Sequence, residues 1–256
     1  MNWLEMRGNW VLIPARPIGL IHFLGGAFVA AAPQTTYARL LEYLAQQGYA
    51  IIATPFINTL DHQAIAIEVL NKFDLTLERL QDQTRLKRFL PIYGLGHSMG
   101  CKLHLLIGSL YEVERAGNIF MAFNNYSASA AIPLVESFNL GATVEFTPSP
   151  QETKQLIQKY YQVRRNLLVK FSSDEIDQTL PLSKVLDQRF PNLTTIQQLP
   201  GNHLTPLGQN LPWQTGVAFS PLDAVGQWLR QEIFRELALL EKTILDWLNP
   251  AASFRR

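Results

Sequence analysis

The sequence contains a single cysteine, Cys101, in 256 residues. A lone thiol excludes an internal disulfide and a cysteine-based zinc site, and it fits a reducing compartment. Net charge is nearly absent as well: 22 basic and 21 acidic side chains leave +1. A nucleic-acid surface needs clustered Lys and Arg, so the charge balance gives no case for nucleic acid as the main partner. No apolar run reaches the length of a membrane-spanning helix. The longest, GLIHFLGGAFVAAAP over residues 19–33, is interrupted by His22 and by the pair Gly25 and Gly26. The opening MNWLEMRGNWVLIP lacks the basic head and apolar core of a secretory signal. The chain therefore reads as soluble and cytoplasmic, without internal repeats or low-complexity tracts.

What is present is a globular composition, 47% apolar, in a chain long enough for one large α/β domain over residues 1–256. Short apolar runs alternate with helical patterns. Residues 10–14 and 19–23 read as neighbouring strands joined by a turn around Arg16 and Pro17. Thr35 or Thr36 caps a helix through residue 47, with Gly48 as its terminator. A strand over 49–54 follows, and Asp61 opens the next helix. Further strands are expected over 90–95, 118–123, 166–171 and 193–199, with a helix over 99–111. This alternation implies a mostly parallel sheet with helices on both faces. Residues 124–165 break the rhythm and read as a cap inserted above the sheet. Over 222–248, Val225, Trp228, Leu229, Phe234, Leu237, Leu240, Ile244 and Trp247 mark one apolar stripe of a long helix.

Residues 92–101, IYGLGHSMGC, carry the chemistry. A P-loop ends in Gly-Lys-Ser/Thr, whereas Gly100 here precedes Cys101 and Lys102. A dinucleotide fingerprint opens the first strand–helix unit of its fold, and this stretch comes after several strands. The remaining reading is G-x-S-x-G over Gly96, His97, Ser98, Met99 and Gly100. An apolar strand enters it and a helix leaves it, the setting in which a serine stands exposed on a sharp turn above a sheet edge.

A serine hydroxyl needs a base, and the base an orienting carboxylate. Of five histidines, His97 adjoins the serine and points elsewhere, and His104 packs on the following helix. His62 begins a helix, a place for a cap or for solvent, and His22 ends an early strand. His203, in the loop QQLPGNHLTP past the last strand, is free to swing over the sheet edge. The carboxylate belongs just past the preceding strand, where LLVKFSSDEIDQT offers Asp174, with Asp177 as the rival. Two backbone N–H groups must also face the developing oxyanion. One is that of Met99; the other comes from the glycine-bent early loop, at Ala27 or Phe28.

GHSMG after a strand, the early GGAF loop, SSDEID and GNHL, in that order, resemble the α/β-hydrolase superfamily over nearly the whole chain. HFLGGAF, GLGHSMGCKLHLL, FSSDEID and LPGNHLTPL are similar to domain-of-unknown-function family 1350, a hydrolase-like family of cyanobacteria and plastids. The resemblance implies an α/β-hydrolase fold with Ser98 as nucleophile, Asp174 as acid and His203 as base. It also implies N–H donors at Met99 and near Ala27, and a plastid location in plant relatives. The expected activity is hydrolysis of an ester or thioester of an apolar small-molecule acyl compound, with no cofactor and no metal. The alternative is a catalytically silent binding protein on the same fold.

Overall fold

The computed structural model describes residues 1–27, 29–83, 85–128, 145–207 and 221–249, excluding the side chains of 221–233. Its centre is an eight-stranded sheet. The strands are β1 (Leu4–Met6), β2 (Asn9–Leu12), β3 (Gly19–Leu24), β4 (Tyr49–Ala53), β5 (Ile92–His97), β6 (Gly117–Met121), β7 (Asn166–Phe171) and β8 (Thr194–Leu199). They lie in the order β1-β2-β4-β3-β5-β6-β7-β8. The first two pair antiparallel, β2 runs antiparallel to β4, and every later pair is parallel. The expected α/β class is thus observed, but β2 and β3 are not neighbours. β4 lies between them, because β3 continues by a crossover helix and a crossover leaves room for a strand on either side.

The central strands β3 to β7 are buried on both faces, as such a sheet requires, whereas the edge strands β1 and β8 are largely exposed. Alternation divides their side chains: Ile51 and Ala53 of β4, Ile21 and Phe23 of β3, and Leu167, Val169 and Phe171 of β7 face one core. On that face pack α2 (Ala38–Gln46) and α7 (Pro221–Leu248), through Leu40, Leu41, Leu44, Leu237, Leu240 and Ile244. Arg39 and Glu241 form an ion pair between these two helices. On the opposite face, α3 (His62–Asp82) and α4 (Met99–Leu110) pack through Ile65, Val69, Leu103 and Leu106. α5 (Pro150–Tyr160) and α6 (Thr179–Arg189) cover Phe120 and Leu168 with Ile157, Leu182 and Leu186. Each such side chain, fully buried, contributes roughly 1.5–3 kcal/mol.

Two expected elements are redrawn. The helix expected from Thr35 or Thr36 is a short α1 (Pro33–Thr36) and α2, separated at Tyr37, and neither threonine caps it. Tyr37 departs from helical geometry because its buried phenol is hydrogen-bonded to Gly26 and His97 instead. Of the expected cap over 124–165, the part from Pro150 onward is the crossover helix α5, set by a Ser149–Glu152 capping box. Residues 129–144 lie outside the described residues, as do Thr84 and the side chains of Val225, Trp228 and Leu229. Among the described residues, no helix is long and apolar enough to cross a membrane.

Between the sheet and α3, a polar thread runs through the core. Arg115 reaches His22 Nδ1 at 3.4 Å, His22 Nε2 lies 3.1 Å from Thr54 Oγ1, and the Thr54 hydroxyl donates to Asn9. His22 stacks on Phe73, and the His104 ring meets it edge-on. Burial pushes both imidazoles down, His104 to about 3, with the neighbouring Arg115 charge adding to it.

Two expectations follow. At Gly100 a Cβ would lie 2.0 Å from the Leu24 carbonyl oxygen, so Gly100→Ala must lever α4 off β3. The variant should lose at least about 2 kcal/mol, read as a lower urea midpoint. His22 and His104 are held neutral when folded, whereas in the unfolded chain they protonate near pH 6.5. Between pH 6.5 and about 3 the unfolded state therefore binds more protons, and stability should fall as pH drops through that window. Urea midpoints at pH 7 and pH 5 check the sign, the lower one belonging to pH 5.

Candidate functional site

The parallel strands point their C-terminal ends to one edge of the sheet, where the loops after β3, β5, β6, β7 and β8 meet. Ser98 follows β5 directly, with φ 52° and ψ −117°, a conformation strained for any residue with a side chain. Its N–H is held by the Met121 carbonyl at 2.9 Å. The flanking glycines make the turn possible: a Cβ at Gly96 would meet the Cys101 backbone nitrogen at 2.6 Å, and Gly100 seats against Leu24.

The next two loops are fastened to each other. Ser172 N–H donates to the Leu199 carbonyl and Ser173 N–H to that of Gly201, both at 2.9 Å. This zipper places Asp174 beside His203, whose Nδ1 lies 2.8 Å from Asp174 Oδ2. His203 Nε2 in turn lies 3.0 Å from Ser98 Oγ. The Asp174 carboxylate is fully buried and also accepts from the Ile176 N–H, so it acts as a fixed acceptor. A carboxylate accepts only, so the imidazole carries its hydrogen on Nδ1 and offers Nε2 as an acceptor to the serine hydroxyl. The structure thus brings Ser98, Asp174 and His203 into one hydrogen-bonded row.

Asp177 is not brought to His203. Its carboxylate accepts from the Thr179 N–H and hydroxyl and pairs with Lys170 at 3.4 Å, which commits it to the start of α6. Met99 and Ala27 line the same cavity as Ser98, and among the described residues no acceptor takes the N–H of either. Phe28 lies outside the described residues. The Gly26 N–H is already given to the Tyr37 hydroxyl at 2.8 Å.

Three participants were not read from the sequence. Asn124, just past β6, donates its amide to Ser98 Oγ at 3.3 Å. Nothing in the sequence marks it, since its role depends on β6 lying beside β5. Tyr37 donates to His97 Nδ1 at 2.7 Å, and His97 Nε2–H donates to the His203 carbonyl at 2.8 Å. His97 does point away from the serine, as expected, yet it fixes the backbone of the loop that carries His203. Burial and the neighbouring His203 push its pKa down to about 3, so it stays neutral. His62, expected as a cap or in solvent, is only 4% exposed and lines the cavity. Asp61 does the capping, accepting from the Ala64 N–H.

The cavity over Ser98 has a volume of about 630 Å³. Val29, Phe146, Ile176, Leu204 and Leu207 give it apolar walls around the polar row. Among the described residues, no group of three His, Cys, Asp or Glu side chains is arranged to hold a metal ion.

No curated protein matches the chain. Its fold is similar to that of the Staphylococcus aureus fluorophosphonate-binding serine hydrolase FphF, with a TM-score of 0.56 and 12% identity over 90% of this chain and 91% of that one. The S-formylglutathione hydrolase FrmB of the same organism gives a TM-score of 0.56 and 14% identity, covering 90% and 92%. Carboxyl esterase 2 from the mycorrhizal fungus Tuber melanosporum gives a TM-score of 0.55 and 15% identity, covering 92% and 87%. Residues 2–250 match the family described as "Protein of unknown function (DUF1350)". With its eight-stranded sheet and the turn at Ser98, the chain is a member of the DUF1350 family, built on the α/β-hydrolase fold.

Proposed function

We propose that this protein is a serine hydrolase acting on an ester or thioester of a largely apolar acyl compound. The observation that carries the reading is the row Asp174–His203–Ser98, with contacts of 2.8 and 3.0 Å, set at a strained strand-to-helix turn. Ser98 Oγ accepts from Asn124, which leaves its own hydrogen to point at His203 Nε2. His203 takes that proton as Oγ attacks the substrate carbonyl, then returns it to the departing oxygen or sulfur. Asp174 holds the imidazole in the tautomer this needs and stabilises the imidazolium as it forms. Water then repeats the sequence on the acyl-enzyme, with His203 again as the base.

Charge on the former carbonyl oxygen falls, in this reading, to the N–H groups of Met99 and Ala27. Met99 is the first residue of α4, where the helix has N–H groups without intrahelical partners and its dipole favours an anion. Tyr37 supports the arrangement by occupying the Gly26 N–H, which leaves Ala27 next in line. The apolar substrate class rests on Val29, Phe146, Ile176, Leu204 and Leu207 around the serine. Phe138 and Trp213, two further apolar side chains of the sequence, lie outside the described residues.

A fluorophosphonate probe should label the wild-type chain and leave Ser98→Ala unlabelled. No labelling of folded wild type would favour a ligand-binding protein on this fold. In aryl-ester turnover, Asp174→Asn should lower kcat by about a thousandfold or more, through the wrong imidazole tautomer. Asp177→Asn should stay within about tenfold of wild type, because its partners are Lys170 and Thr179. The opposite ranking would reassign the acid.

A further inference from the structure

The cavity contains a second polar cluster that the serine chemistry does not use. Lys102 stands in the first turn of α4, four residues after Ser98. Both line the cavity, and Lys102 is only 3% exposed. Its ammonium donates to the Pro148 carbonyl at 3.1 Å and lies 5.5 Å from the centre of the Phe146 ring. An ammonium has three hydrogens to give, and one carbonyl takes one of them. Among the described residues, no carboxylate lies within 4.0 Å of it.

The acidic groups that act on it from farther off are Glu145 and Glu152. Both are turned to backbone donors: Glu145 accepts from the N–H of Ala128 and Phe146, and Glu152 from that of Ser149. Burial outweighs their field and pushes the Lys102 ammonium down to about 8, which leaves it charged at neutral pH.

His62 packs against the same aromatic ring, stacked on Phe146 at 4.3 Å. Although buried, neither of its ring nitrogens has a hydrogen-bond partner among the described residues. Burial, and then the Lys102 charge, push it down to about 3, so the ring is neutral and one nitrogen carries a hydrogen without an acceptor. A buried cation without a carboxylate and a buried N–H without an acceptor, in one cavity, are both repaid by an anion.

Resting on the serine-hydrolase reading, we propose that Lys102 and His62 bind an anionic group, a carboxylate or a phosphate, carried by the acyl compound several ångströms from its scissile carbonyl. The ammonium supplies the charge and the imidazole N–H a second, directional donor. The Phe146 ring, which lies against both and lines the cavity, gives an apolar surface for the carbon chain between the two ends. The substrate is then amphiphilic: an ester or thioester at Ser98 and an anion at Lys102 and His62.

Calorimetric titration of the Ser98→Ala chain tests this without turnover. The ligands are the monomethyl esters of succinate, adipate and suberate, their dimethyl esters, and methyl 5-phosphonopentanoate. At least one monoanion should bind about tenfold tighter or more than its uncharged dimethyl counterpart, and the advantage should vanish when Lys102→Met is added. His62→Phe, which keeps the stack on Phe146, should reduce the advantage about threefold. Binding of only the carboxylates or only the phosphonate identifies the anion. Equal affinity for charged and uncharged ligands overturns the proposal, as does a preference that survives both variants and so assigns Lys102 to holding the Pro148 carbonyl. Failure here leaves wild-type probe labelling untouched, and failure of labelling leaves these titrations standing, so the two readings fall separately.

Discussion

The rest of the site depends on one steric constraint, the close approach of α4 to the end of β3. Gly100 lies against the Leu24 carbonyl, closer than any side chain permits, and Gly96 clears the Cys101 backbone in the same way. Those two contacts allow the chain to turn from strand to helix within one residue and hold Ser98 at positive φ. Such a conformation costs on the order of 1–3 kcal/mol and persists only where its surroundings enforce it. Here they do so through two glycine contacts and the bond from Ser98 N–H to the Met121 carbonyl. Ser98 is therefore the fixed point, and the other loops are positioned against it.

Around that point the polar groups are distributed by economy. Asp174 and Asp177 are three residues apart in one loop, yet their acceptors are spent differently. Asp174 gives one oxygen to its own turn and one to His203. Asp177 gives both to α6 and Lys170. Two neighbouring carboxylates thereby acquire separate tasks, one stabilising a helix start and one orienting an imidazole. The cavity repeats the pattern with its cations and imidazoles: His203 has a partner on each nitrogen, whereas His62 has none among the described residues.

Local order was legible in the sequence where a period or a turn dictates it. The strand over 166–171 and the serine turn follow from alternation and from glycine spacing, and the order Ser98, Asp174, His203 follows from loops past successive strand ends. Lateral order was not legible. Nothing in residues 10–23 shows that β4 inserts between β2 and β3, because that choice is made by packing across the sheet. The break at Tyr37 was equally hidden, since helical periodicity runs through it and only the phenol's distant partners on Gly26 and His97 explain it. His62 looked like a helix-start residue in solvent because Asp61 and His62 both fit that place. What places the His62 ring is Phe146, on which it stacks, more than eighty residues away.

The row from Gly26 through Tyr37 and His97 to the His203 carbonyl has a direction. The Gly26 N–H can only donate and the His203 carbonyl can only accept, so every hydrogen along the row is turned the same way. Turning the His97 ring over would forfeit both of its bonds, and protonating it would set two donors, Nδ1–H and the Tyr37 hydroxyl, against each other. The imidazole next to the serine is thus locked in one tautomer and orientation, with both ring nitrogens committed to Tyr37 and the His203 carbonyl. The same row ties the loop after β3 to the loop after β8 through three hydrogen bonds.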